Sequence, residues 1–136
     1  MKPEFPPAVP EIPVSDINKA ADYYQNKFGF KLDWVGEEGR IAGISKGHCR
    51  MFLTNPAFRA GSPTGTAPPF GNVGHVVIWF NLNSKAEVDD LYQLWKNSQA
   101  QIVSEPEDKR WKLHEFTAAD LDGNLFRVFY DFTSDA

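Results

Sequence analysis

Apolar and polar positions along this chain follow two periods, and the periods alternate in the same order twice. Between Asp16 and Phe28, the residues Ile17, Ala20, Ala21, Tyr24 and Phe28 fall on one stripe of an amphipathic helix. Ser15 or Asp16 can cap that helix and Gly29 can end it. Ahead of it, Ala8–Val14 alternates like a strand but carries Pro10 and Pro13. Proline donates nothing to a ladder, so this strand belongs at a sheet edge, at a bulge or against another chain. The preceding Met1–Pro7 is proline-rich and reads as an arm. After the helix, Lys31–Gly36, Arg40–Lys46 and Cys49–Asn55 read as strands, separated by turn signals at Glu37-Glu38-Gly39 and Lys46-Gly47-His48.

The pattern then breaks and restarts. Pro56 to Asn72 holds four prolines and three glycines, which reads as a linker or as a lid with Phe58 or Phe70 as its apolar contact. Gly74–Asn81 is a strongly apolar strand. Ser84 with Glu87 three residues later forms a capping box, opening a helix whose stripe is Val88, Leu91, Tyr92 and Trp95. Ile102–Glu105, Leu113–Asp120 and Leu125–Asp131 complete the set, the last two joined by a turn at Asp122-Gly123. The two stripes lie 71 residues apart, Ile17 against Val88. A strand, a helix and three strands therefore occur twice, which predicts an α+β fold of tandem βαβββ modules. The modules span about 8–55 and 73–132, joined by 56–72, in one domain of 136 residues. One helix covers only one face of a four-stranded sheet. The other face must curl around a partner sheet, a ligand or both.

Composition narrows the partners. A chain with 14% aromatic residues carries more ring surface than a core of this size needs, so some rings are expected in a pocket or interface. The net charge is −4 and no basic cluster is longer than Lys109-Arg110, which argues against a nucleic-acid surface. No apolar run approaches the ~18 residues of a membrane span, and the N-terminus lacks a signal-peptide pattern. With Cys49 as the single cysteine there is no intrachain disulfide, and the expected location is cytoplasmic.

The stretches Ala8-Val-Pro-Glu-Ile-Pro-Val-Ser-Asp16, Ala20-Ala-Asp-Tyr-Tyr-Gln-Asn-Lys-Phe-Gly-Phe30 and Ala118-Ala-Asp-Leu-Asp-Gly-Asn-Leu-Phe-Arg-Val-Phe129 resemble the vicinal-oxygen-chelate superfamily. That group contains glyoxalase I, extradiol dioxygenases and bleomycin-type resistance proteins, and the likeness is greatest to the bleomycin-resistance branch. The resemblance runs from about Ala8 to Phe132. It implies a curled mixed sheet around a concave groove. In metal-dependent members it also implies four ligands, on the first and last strands of each module. Carried over, those positions fall at Val9 or Pro10, at Phe52, at His75 and at Arg127. Only His75 is a ligand type, two positions are apolar and one is cationic. A divalent ion beside an unpaired guanidinium with one imidazole is poorly held, so neither metal nor cofactor is expected.

What remains is an aromatic groove. Trp111, nine residues before Asp120, matches a groove tryptophan of the bleomycin-binding branch. Trp34 and Phe52 lie on strands expected to face the same hollow, and Glu115 or Asp120 can offer a carboxylate to a basic ligand. The expected ligand contacts are therefore Trp34, Phe52, His75, Trp111, Glu115 and Arg127, binding a cationic or heteroaromatic small molecule at a homodimer interface. Several of these residues have plainer readings. His75 suits a hydrogen-bonded core position, and Trp111 suits a dimer interface. His114 and Glu115, adjacent on a strand, point to opposite faces. Of Trp79 and Phe80, at most one can line a groove. Cys49 lacks any cue for a nucleophile, His48 suits a solvated turn, and Trp95 and Tyr24 suit the core. The rival function is a divergent lyase, isomerase or dioxygenase using His75 with His114, Glu115 or Asp131. A protein-interaction module is the third.

Overall fold

In a computed structural model, residues 5–60 and 74–135 are described. Phe70 and most of the linker lie outside them. The first module runs β1 (Glu11–Pro13), α1 (Ile17–Asn26), β2 (Lys31–Gly36), β3 (Ile41–Lys46) and β4 (Cys49–Thr54). A short helix α2 (Pro56–Ala60) follows. The second module runs β5 (Val77–Asn81), α3 (Lys85–Asn97), β6 (Gln101–Asp108), β7 (Leu113–Ala119) and β8 (Leu125–Asp131). Each module forms one four-stranded mixed sheet, ordered β1-β4-β3-β2 and β5-β8-β7-β6. The proline-bearing β1 is an edge strand, parallel to β4. It is shorter than the alternation indicates, because the two prolines leave few amides to pair.

Capping chemistry fixes both long helices. The Asp16 carboxylate accepts from Lys19 N at 2.9 Å and the Ser84 hydroxyl from Glu87 N at 3.1 Å. Gly29 adopts φ 77° after α1, a conformation that favours glycine. The caps also correct the repeat. Asp16 is the equivalent of Ser84, and Val14 N bonds to Thr54 O just as Leu82 N bonds to Phe129 O. The modules thus superpose three residues out of the register of their stripes, since α1 buries its first residue, Ile17, while α3 begins with a lysine. By this cap register the position equivalent to His75 in the first module is Pro7, just ahead of Val9 and Pro10.

The linker expectation needs one correction. Asn55 accepts from Phe58 N at 2.9 Å and Pro56 fills the first helical position, where a missing amide costs nothing. Residues 56–60 therefore coil into α2. From it the Arg59 guanidinium donates to Thr54 O and, at 3.3 Å, to Val14 O.

Both helices pack inward to make one core. Tyr24 and Phe28 of the first module meet Trp95 and Phe126 of the second, with Phe28 and Trp95 centroids 4.5 Å apart. Trp95 Nε1 donates to Phe28 O at 3.1 Å. Each such large side chain contributes about 1.5–3 kcal/mol by burial. The β7–β8 turn adds a polar knot at the junction. Asp120 accepts from the Tyr24 hydroxyl (2.7 Å), from Asn124 Nδ2 (2.8 Å) and from the amides of Asp122 and Asn124. Asn124 Nδ2 also donates to Pro13 O, and Asp122 Oδ1 accepts from Ser15 N. Burial and the neighbouring Asp120 carboxylate push the Tyr24 hydroxyl well above its ordinary pKa. The Asp-x-Asp-Gly-Asn stretch is thus more than a turn: it ties the modules together.

Candidate functional site

With the helices sandwiched inward, alternate residues of each sheet point outward. On the first sheet the outward row is Trp34, Gly43, Phe52 and Glu11, paired across four strands. The Trp34 ring meets Phe52 at 5.4 Å between centroids and 61° between planes. Its seat is Gly43, where a Cβ would stand 2.4 Å from the indole nitrogen. Only glycine lets the ring lie so close to the strand. The pair is nonpolar apart from the indole N–H, and Trp34 is 40% exposed.

The second sheet presents a different outer face. Trp79 pairs with Arg127, and Arg127 with Thr117, in one row, while Glu115 pairs with Phe129 in the next. Trp79, 49% exposed, carries the Arg127 guanidinium over its ring at 5.3 Å and meets Phe129 edge-on at 5.5 Å. Glu115 lies at the floor, 2% exposed, with Oε1 3.8 Å from Arg127 Nη1. Its other oxygen, Oε2, is buried and has no hydrogen-bond partner. Buried polar atoms are nearly always paired, and one left open calls for a reason. The strand order explains how the carboxylate came to be there: β7 alternates Phe116 and Ala118 into the core with Glu115 and Thr117 outward.

Of the six expected contacts, the fold brings Trp34 to Phe52 and Glu115 to Arg127, on separate faces. Trp111 is 54% exposed, on the β6–β7 turn with Lys109 Nζ 5.8 Å from its ring centroid. His75 precedes β5 and is exposed, which overturns its reading as a core histidine. Its ring lies over Gly123 and lines a small cleft with Ser15, Arg59 and Asp122. Asp120 has no carboxylate oxygen to spare for a ligand, because four donors in the knot already occupy its oxygens. His114 faces the helix side, with Nδ1 and Nε2 each 2.8 Å from an oxygen of Asp108 and Asp89, while Glu115 faces out. Phe80 packs inward on Phe126 and Trp79 points outward. Sequence reasoning missed Gly43 as a ring seat and Thr117 and Phe129 as wall residues. For Thr117 and Phe129 the signal was strand alternation, which sets them outward with Glu115 and Arg127; Gly43 had none.

The four chelate positions do not fit a divalent ion. Phe52 is packed against an indole, Arg127 is a permanent cation 3.8 Å from the Glu115 carboxylate, and neither Val9, Pro10 nor Pro7 has a ligand atom in its side chain. Among the described residues no group of three or more His, Cys, Asp or Glu side chains is arranged so that it could hold a metal ion.

Two βαβββ modules, each a four-stranded mixed sheet with aromatic rings on its outer face, define the class of small two-module proteins to which comparison assigns this chain. A model of the glyoxalase/bleomycin resistance protein/dioxygenase superfamily matches residues 8–128, and the chain belongs to that family. It is 24% identical over 131 residues to a bleomycin resistance protein of Geobacillus stearothermophilus, covering 93% of this chain and 98% of the relative. The same figures hold for a bleomycin resistance protein of Staphylococcus aureus. Among solved structures, TioX from Micromonospora sp. ML1 superposes with a TM-score of 0.72 at 22% identity, covering 93% of this chain and 99% of that one. A lactoylglutathione lyase from Agrobacterium tumefaciens gives 0.73 at 20% identity, covering 92% and 95%. Among the described residues no helix is long and apolar enough to cross a membrane.

Proposed function

We propose that the protein binds a nitrogen-bearing heteroaromatic or cationic small molecule without transforming it, in a groove built by two copies of the chain. The observation that carries this reading is the unpaired, buried Oε2 of Glu115 on the outer face that also carries Arg127 and Trp79. A carboxylate oxygen accepts and never donates, so the ligand atom it suits is an N–H or a cationic nitrogen. Trp79 and Phe129 offer faces for a flat ring, each stack adding roughly 0.5–1.5 kcal/mol beyond its area. The Trp34–Phe52 face supplies the opposite wall when the first sheet of one chain opposes the second sheet of another. Exposed Trp34, Val77 and Trp79 on these two faces support such pairing, and sequestration follows the names of the bleomycin resistance relatives. The enzymatic alternative needs His75 to converge with His114, Glu115 or Asp131, and β7 sets His114 and Glu115 on opposite faces.

Titration of the whole protein with metal-free bleomycin and with a series of cationic bicyclic heteroaromatics, read by tryptophan fluorescence, tests the proposal. Saturable quenching at micromolar concentration, with one ligand per groove in a sedimenting dimer, is expected. A monomer with unchanged fluorescence across the series would contradict it.

A further inference from the structure

A second cleft opens on the opposite, helix side of the sheets, where the two modules meet. It has a volume of about 210 Å³ and is walled by Phe30 and Cys49 of the first module and by Phe80, Leu82, Leu91 and Trp95 of the second. Every one of these walls is hydrocarbon, ring or thiol. The one charge is Lys46, at the end of β3, whose ammonium bends over Gly29, 3.0 Å from where a Cβ would stand. Lys46 is partly buried, yet no carboxylate of the described residues lies within ion-pair distance of it. An ammonium drawn onto an apolar wall without a counter-ion loses hydration and gains nothing in return. An anionic headgroup at the mouth restores that balance, and an apolar tail fills the interior.

We propose that this cleft binds a small apolar monocarboxylate, its tail against Phe80, Leu82 and Leu91 and its carboxylate on Lys46 Nζ. An engineered apolar cavity of about 150 Å³ takes benzene, so the volume here suits an acid of about six to ten carbons. The site shares no residue with the outer faces and stands or falls independently of them.

Cys49 makes the test direct, because it is the only cysteine of the chain and its thiol, pushed upward in pKa by burial, lines this cleft. Its modification by Ellman's reagent is followed in the full chain with hexanoate, hexan-1-ol or hexylamine. Hexanoate at ten times its dissociation constant slows the reaction roughly tenfold by mass action. Hexan-1-ol requires higher concentrations for the same protection, and hexylamine higher still. Lys46→Met, a change at a partly exposed position, removes the advantage of hexanoate over hexan-1-ol. Leu91→Trp fills the cleft, slows the reaction with no additive, and leaves hexanoate without further effect. The proposal is overturned if hexanoate does not protect, if the three additives protect equally, or if Lys46→Met keeps the preference. Protection that follows protein concentration instead assigns the cleft to a second copy of the chain and also overturns it.

Discussion

Two buried carboxylates stand near one another in the chain, Glu115 within β7 and Asp120 just beyond its end, both 2% exposed. They have opposite fates. Asp120 receives four donors, two of which, the Tyr24 hydroxyl and Asn124 Nδ2, join the first module to the second. Glu115 has a guanidinium 3.8 Å from one oxygen and nothing on the other. Equal burial thus conceals different tasks. A carboxylate that receives four donors holds the fold, whereas one with an open oxygen beside a guanidinium is, on the binding reading proposed above, the acceptor for a donor from outside. The two outer faces repeat the contrast: Trp34 and Phe52 offer shape, and Glu115 and Arg127 offer charge.

The largest effect is expected at the junction. Asp120→Ala strands several buried donors and lowers unfolding stability by roughly 3–4 kcal/mol, since each one left open costs about 1–3 kcal/mol before water re-enters. Urea denaturation measures it, and a loss below about 1 kcal/mol would erase the distinction from Glu115. Alkali attacks the same knot. The Tyr24 hydroxyl is raised in the fold, so its contribution is complete below its unfolded value near 10 and is lost as pH climbs beyond it. Tyr24→Phe flattens that alkaline slope.

Glu115→Gln comes next, and it acts on binding. The variant keeps its fold while ligand affinity falls about tenfold or more, the loss of one charge-assisted hydrogen bond. Trp79→Ala costs roughly three- to tenfold in affinity, as expected for one lost stack, and titration calorimetry separates it from any change in stability. Gly43→Ala is gentler still. The new methyl displaces the Trp34 indole from the strand, which a shift in its fluorescence reports, and affinity drops a few-fold. The smallest effect concerns Asp108, which Lys85 and then His114 hold below the usual carboxylate range. A lowered value gives stability that is present above the ordinary range near 3.8 and fades as pH falls through the folded value. Asp108→Asn removes that acid-side slope and, with it, the small contribution present at neutral pH, which acid titration of the unfolding midpoint in both proteins checks.

Much of the architecture was legible in the sequence because period and caps agree. Ser84 with Glu87, Asp16 and Gly29 each mark a helix end by a local bond, and alternation separates Phe52 and Trp79 from their core-facing neighbours. The repeat register was misjudged because a stripe reports which face is buried, not where the helix begins. Helix α2 was hidden by the prolines around it, although Asn55-Pro56 carries its start signal. The site was half visible. Parity places Glu115 and Arg127 on one face, but no local pattern shows that Asp120 is saturated and Glu115 is not. That difference depends on Tyr24 and Asn124, and the Tyr24 contact spans 96 residues. Gly43 was invisible for a similar reason, since its role exists only once the Trp34 ring has been laid across it.

The most direct measurement is the thermal midpoint of wild type and Glu115→Gln, each with and without metal-free bleomycin or the tightest heteroaromatic of the series. The open oxygen predicts a free variant at least as stable as wild type and a ligand-induced rise that wild type shows and the variant lacks. A variant that melts several degrees lower when free yet keeps the full rise would place Glu115 beside Asp120 as a structural carboxylate and contradict the account.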